Sequence, residues 1–229
     1  MPADVVAIDG PAASGKSSTA RAVADGLGLA HLDSGALYRA FTLVALDAGL
    51  PLVGMRIAAL AAERPVRLAL TADGFHPEVA GVDVSEAVRR EDVTAHVSAV
   101  AALPEVRDAV NRLLREAASR HPRGVVVDGR DIGTVVFPDA RLKIFLTASA
   151  GERALRRLLQ ESQAISPAAL AAETARLTSR DAADAGRAVA PLRAAQDAVG
   201  LDTTGMTFAA QVAAIVGLAR KAFPHLDIA

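Results

Sequence analysis

The sequence predicts an α/β fold, a doubly wound parallel sheet with helices on both faces, and three observations predict it. Wholly apolar runs, Val5 to Ile8 and Val125 to Val127 among them, end on an acid at Asp9 and Asp128. Strands buried on both faces of a parallel sheet have this character. Segments of helical period separate the runs, giving a strand–helix alternation. The chain has 229 residues, 52% of them hydrophobic. That is enough for one medium domain with insertions and a real core.

Taken in order, Val5 to Ile8 is a buried strand running into a Gly-rich turn at Asp9-Gly10. A helix follows from Lys16, with Ala20, Val23, Ala24 and Leu27 on one face and Gly28 as its stop. His31 to Asp33 is a very short second strand, and Gly35 to Asp47 a helix ended at Gly49-Leu50-Pro51. Val66 to Thr71 alternates in character, meets Asp73-Gly74 and is succeeded by Val79 to Val84, which predicts a small antiparallel hairpin. It interrupts the βα rhythm, so residues of about 64–102 are expected to be an insertion. Val106 to Ser119 is helical, Gly124 to Asp128 and Leu142 to Leu146 are strands, and Ser149 with Glu152 has capping-box spacing for a helix bearing Arg153, Arg156 and Arg157. Ala198 to Leu201 is a weak fifth strand, and Phe208 to Phe223 a closing helix.

Composition narrows the classes. Lys and Arg number 25 against 26 Asp and Glu, a net charge of −1, so the basic footprint of a nucleic-acid or membrane-surface binder is missing. The absence of cysteine removes disulfides, thiolate zinc sites and a Cys nucleophile, and is compatible with a reducing compartment. No signal peptide is legible, and the longest uncharged stretch, Thr203 to Ala219, is too short and too polar to span a bilayer. The expectation is a cytoplasmic protein. Only Lys16, Lys143 and Lys221 are lysines, so a Lys inside a motif stands out.

One motif carries chemistry. Gly10-Pro11-Ala12-Ala13-Ser14-Gly15-Lys16-Ser17 fits G-x-x-x-x-G-K-[ST] at every fixed position, with a strand before it and a helix after it. In such a turn, successive backbone N–H groups wrap an anion, and the helix that starts there adds its positive end. Lys16 would reach the β- and γ-phosphates of a nucleoside triphosphate, and the Ser17 hydroxyl would ligate magnesium. Ser18 belongs to the same loop. Asp128 is the candidate for the strand-end acid that such sites use for Mg²⁺, with Asp9 a second candidate for that shell. A phosphate loop alone leaves kinase, motor, GTPase and sensor open. No N-K-x-D motif for guanine is present, and arginines near strand ends or late in the chain suit the equatorial oxygens of a transferred phosphoryl group.

Three further stretches extend the picture: Leu32 to Arg39 (L-D-S-G-A-L-Y-R), Asp128 to Pro138 (D-G-R-D-I-G-T-V-V-F-P) and Arg180 to Pro191 (R-D-A-A-D-A-G-R-A-V-A-P). Together with the phosphate loop the chain resembles the bacterial cytidylate kinases, P-loop nucleoside monophosphate kinases, in order over nearly its whole length. The resemblance implies a single P-loop kinase domain over 1–229 with a five-stranded parallel core, an inserted monophosphate-binding subdomain at about 64–102 and a lid at about 150–187. It implies transfer of the ATP γ-phosphoryl group to CMP or dCMP with magnesium, by a monomer that binds no nucleic acid. Ser98, Arg107 and Asp131 would read the cytosine edge. Arg39, Arg130 and Arg187 would hold the CMP phosphate beside Ser34 and Tyr38, Arg180 and Asp184 would contact the ribose, and Arg153 and Arg157 would belong to the lid over ATP. His31 has no matching role and is expected to be structural. A kinase for another small acceptor, such as another nucleoside monophosphate or shikimate, is the nearest rival.

Overall fold

The computed structural model describes residues 4–71 and 74–225. Five strands form one parallel sheet: β1 (Val5–Asp9), β2 (Ala30–Asp33), β6 (Val125–Gly129), β7 (Leu142–Thr147) and β8 (Val199–Asp202), in the order β2-β6-β1-β7-β8. Helices α1 (Lys16–Leu27) and α8 (Phe208–Ala222) cover one face, and α2 (Ser34–Asp47), α3 (Gly54–Glu63) and α5 (Pro104–Arg120) the other. The alternation along β1 makes the two-layer burial explicit. Val6 and Ile8 pack with Val23, Leu27 and Ile215, while Val5 and Ala7 join the core of Leu37, Phe41 and Val110. A strand with no exposed face cannot carry a polar alternation, which is why these runs read as continuous apolar sequence.

The sheet reverses its order at β1, between β6 and β7. Ligand sites of doubly wound sheets lie outside the carboxyl ends of the strands at such a point. Register brings Asp128 beside Ile8 on one side and Asp33 on the other, so three acids, Asp9, Asp33 and Asp128, collect at this edge.

The inserted sheet differs from the expected hairpin. It has three antiparallel strands, β3 (Val66–Thr71), β4 (Gly74–Val79) and β5 (Val82–Asp83), and its buried residues Val66, Leu68, Phe75 and Val79 join the α2–α5 core. The stretch Val79 to Val84 is not one strand, because Ala80 and Gly81 turn with positive φ of 51° and 81°, as two-residue hairpin turns require. The strand that precedes it contains Pro77, which weakens any strand signal; the Asp73 expected in the first turn lies outside the described residues. Helix α4 (Glu91–Val100) follows this sheet. The region after β7 forms α6 (Ala150–Gln160) and the long α7 (Pro167–Ala185). Only half of the predicted capping box forms: Ser149 accepts from the Glu152 N–H at 3.3 Å, but its own N–H goes to Thr204, and Glu152 pairs with Arg156. Among the described residues no helix is long and apolar enough to cross a membrane.

Candidate active site

The loop between β1 and α1 owes its shape to its glycines. A Cβ on Gly10 would lie 2.1 Å from the Leu146 carbonyl oxygen, so only glycine lets β7 approach. Gly15 caps α1 with φ 86° in the left-handed region, where other residues are strained. Pro11, Ala12 and Ala13 carry the chain between them, and Ser18 closes the turn by donating to the Gly15 carbonyl at 2.9 Å. Two groups of this loop are poised for an anion. The Ser14 hydroxyl is buried without a hydrogen-bond partner, and the Lys16 ammonium is folded back onto the Pro11 carbonyl at 2.7 Å. Burial, reinforced by the neighbouring Arg130 charge, pulls the Lys16 pKa down to about 7, because a desolvated cation needs a counter-charge.

At the first turn of α1, the Ser17 hydroxyl donates to Asp128 Oδ2 at 2.6 Å. The other oxygen of Asp128 lies 2.7 Å from His31 Nε2, and its backbone carbonyl accepts from Ser34. Although burial opposes ionisation, the hydrogen bonds and charges of His31, Ser17 and Lys16 hold Asp128 below the usual carboxylate range. Asp9 has a different task from the metal role expected as an alternative. Its two oxygens accept the Ile132 and Gly133 N–H groups, each at 2.8 Å, and so cap the tight π-helical turn over Ile132–Val136. Burial raises the Asp9 pKa to about 6 despite those donors.

Across from the loop is a cluster of guanidinium groups. Asp184 is 2% exposed and accepts from Arg130 at 3.0 Å and from Arg187 at 2.5 Å. Arg180, on the same helix, has a buried Nε without a partner, and burial together with Arg130 lowers its pKa to about 10. One carboxylate among three arginines leaves an excess of positive charge. The charge of Arg130 acts on Lys16, Arg39, Arg180 and Asp131, residues of four separate segments. Arg39 has partners of its own, donating to the Val88 carbonyl and to Thr94.

Deeper in the cleft, Arg107 and Asp131 are paired in a short contact, both almost fully buried, with Arg107 stacked 5.6 Å over the Tyr38 ring. Arg107 also donates to the Ala101 carbonyl. The Tyr38 hydroxyl is buried with no partner, and so is the Asn111 carbonyl, one helical turn after Arg107. Buried polar atoms rarely stay unsatisfied in a finished structure, so this wall has donors and acceptors to spare for a polar ring edge. Gly129 permits the close packing here, since a Cβ on it would lie 2.6 Å from the Ser34 hydroxyl. Ser34 itself is 5% exposed and donates to the Asp128 backbone carbonyl at 2.7 Å, which ties the start of α2 to β6. Ser98 is half-buried on α4, and its hydroxyl makes no hydrogen bond among the described residues.

The α6–α7 unit reaches the loop from the other side. Arg153 donates to the Ala12 carbonyl at 2.8 Å and to Asp181 at 2.5 Å, and Asp181 accepts the Ala12 N–H at 2.9 Å. Arg157 pairs with Glu161 at 2.5 Å, while its charge still reaches Arg39. Arg156 ties α6 to Thr203 after β8. The sequence assigns no role to Asn111 or Asp181 and reads His31 as structural. His31 alone had an available signal, being two residues before Asp33 and so on the same strand face.

The chain as a whole is similar to known proteins. The chain is 47% identical over 216 residues to a cytidylate kinase of Streptomyces griseus, covering 93% of this chain and 91% of the relative. It is 44% identical over 223 residues to one of Streptomyces avermitilis (96% and 94%) and 46% identical over 216 residues to one of Pseudomonas aeruginosa (93% and 93%). A solved structure of an uncharacterized protein from Eubacterium ventriosum shares the fold at a TM-score of 0.50 and 11% identity, over 94% of this chain and 97% of that one. The model of the family described as cytidylate kinase matches residues 6–221. With the phosphate loop, the strand-end acid and the facing arginines in one cleft, the chain therefore belongs to the cytidylate kinase family of ATP-dependent phosphotransferases.

Proposed function

We propose that this cleft transfers the γ-phosphoryl group of ATP to the phosphate of CMP or dCMP, giving ADP and CDP or dCDP, with the phosphate loop as donor site and the arginine cluster as acceptor site. The observation that carries the reading is that Arg130 and Arg187 are gathered on the buried Asp184 carboxylate, at 3.0 and 2.5 Å, with the charges of Arg130 and Arg180 acting on Lys16 of the phosphate loop. Residues 10–18 would cradle the ATP phosphates. Ser17 Oγ and Asp128 Oδ2, two hard oxygens 2.6 Å apart, would hold magnesium directly or through its water. Among the described residues no three His, Asp or Glu side chains converge on a cage, which suits an ion held by few protein oxygens, water and phosphate. When bound, that ion neutralises charge on the β- and γ-oxygens.

A phosphate oxygen of CMP is already anionic near neutral pH, so the residues need supply no general base. Their work is to bring two anions into line and spread the charge of the transition state. Arg130 and Arg187 would exchange Asp184 for the CMP phosphate, helped by Arg39, while Lys16 leaves Pro11 for the transferred group. Asp184 and Arg180 would then meet the ribose. Asp131 would accept from the exocyclic amine of cytosine, with Arg107, Tyr38 and, through α4, Ser98 closing the base pocket. The small sheet and α4, at about 64–102, act as the monophosphate-binding subdomain, and about 150–187 as a lid whose Arg153 and Arg157 face ATP. Closure with both nucleotides aboard would keep water from the γ-phosphorus. The cysteine-free composition is compatible with a reducing cytoplasm, where the chain would work on free nucleotides as a monomer.

A coupled assay with ATP and Mg²⁺ against a panel of monophosphates and shikimate tests the reading. ADP should form with CMP and dCMP. Absence of turnover with both, alongside robust turnover with another acceptor, would overturn it.

A further inference from the structure

We propose that His31 is a positioning residue for the magnesium-binding carboxylate: its Nε2–H grips Asp128 Oδ1 and so presents Oδ2 to Ser17 and the ion. The inference rests on the proposed role of Asp128 and Ser17 in holding magnesium. Three observations carry it.

The first is the linear arrangement. His31 Nε2 lies 2.7 Å from Asp128 Oδ1, and Ser17 Oγ lies 2.6 Å from Oδ2. The carboxylate is thus held at both ends, and because it accepts, the nitrogen facing it must be the one that carries hydrogen.

The second is the contrast with Asp9. Both oxygens of Asp9 are fixed by backbone amides that no side-chain substitution removes. Asp128 has no such support for its carboxylate: His31 and Ser17 are its hydrogen-bond partners, and Ser17 must turn toward the ion when magnesium binds. With Asp128 3% exposed and His31 9%, little solvent is at hand to replace a lost donor. Take away His31 and Oδ1 becomes a buried acceptor without a partner, in a side chain free to turn about its last torsion.

The third is register. His31 pairs with Val126 and Asp33 with Asp128 across β2 and β6, so two like-charged acids stand opposite each other at the strand ends. Asp33 is turned to the N-terminus of α2, accepting the Ala36 N–H at 3.2 Å. His31, diagonal to Asp128, supplies the donor that keeps the second carboxylate facing the phosphate loop. Partners that orient a metal ligand in this way change metal affinity or activity about 10- to 100-fold when removed.

The experiment compares His31→Phe, His31→Gln and Asp128→Asn with the unsubstituted protein. Mn²⁺ binding to the ADP complex is followed by electron paramagnetic resonance, where no turnover occurs, and the Mg²⁺ dependence of kcat and the KM for CMP are measured separately. His31→Phe should weaken Mn²⁺ binding by about tenfold or more and leave the KM for CMP within about twofold. His31→Gln, whose amide nitrogen can reach the same oxygen, should recover most of the affinity. In the Asp128→Asn background His31→Phe should add nothing. Should the Phe variant not fold, His31→Asn, too short to reach, replaces it. Unchanged Mn²⁺ affinity in the loss variant, or a Gln variant as weak as it, overturns the inference. Unchanged affinity in Asp128→Asn overturns the metal assignment beneath it, so the two failures are told apart.

Discussion

The wall of the cleft proposed for ATP is one stretch of backbone, residues 10–18, while the facing wall is assembled from side chains of α2, α5, β6 and α7. The first needs from the rest of the molecule only room, such as the approach of Leu146 to Gly10, and one tie at Ala12, held by Arg153 and Asp181. The second exists only because acids hold cations in position: Asp184 for Arg130 and Arg187, Asp131 for Arg107. Amide cups are fixed by turn geometry, whereas buried charge pairs are fixed by mutual compensation. A substitution on the loop side should therefore cost chemistry with little cost in folding, and on the other side it should cost both.

The sharpest test is Lys16→Ala. It would remove the cation proposed to follow the transferred group, and kcat should fall on the order of 10³-fold with no loss in the thermal midpoint, because burial of that cation opposes folding near neutral pH. A comparable loss of stability would erase the contrast between the walls. Arg130→Ala and Arg187→Ala should each reduce kcat/KM for CMP by about 10²-fold, with the KM for ATP moving only a few-fold. Steady-state kinetics with each nucleotide varied in turn separates the two walls, and an equal effect on both KM values would merge them. Asp131→Asn should lower the preference for CMP over UMP by about tenfold and, by leaving Arg107 buried without its anion, destabilise the fold by about 3 kcal/mol in urea unfolding. Retained stability there would mean that the acceptor wall is as self-supporting as the loop.

The smallest effect is a proton. Lys16 titrates near 7 in the folded protein, against 10.5 for a free lysine. The unfolded chain therefore binds more protons between those values, and the stability of the nucleotide-free protein gains a contribution as pH rises from about 7 toward 10. Phosphates entering the loop raise the Lys16 pKa again, so ATP binding at pH 8 should take up a fraction of a proton. Calorimetry in buffers of different ionisation enthalpy reads this directly, and Lys16→Met should abolish it. Uptake that survives in Lys16→Met would assign the proton elsewhere.

The same contrast decides what was legible in the sequence. Five strands, their order of appearance and the loop from Gly10 to Ser18 could be read because each is a local pattern: an apolar run, a turn residue, a helix start. The facing wall could not be read that way. Arg107 and Asp131 meet across a helix and a strand end, and Tyr38, Ser98, Arg180 and Asp184 were legible only through likeness to a family. Asp9 was read as a spare metal ligand because strand-end acids often are, yet its oxygens are taken by a turn 123 residues away, a contact no periodicity reports. Strand β4 was hidden by Pro77, and α3 by the Gly and Pro residues before it. His31 was set aside because its partner sits on the neighbouring strand.

Helix α7 carries Asp181 and Asp184 three residues apart, one against the Ala12 amide and Arg153, the other between Arg130 and Arg187. Residues so spaced ride on a single rigid rod. A roll or withdrawal large enough to free the two arginines would also tug on Ala12, so the pockets proposed for ATP and CMP would be coupled through one helix as a mechanical displacement, without a chain of intermediaries.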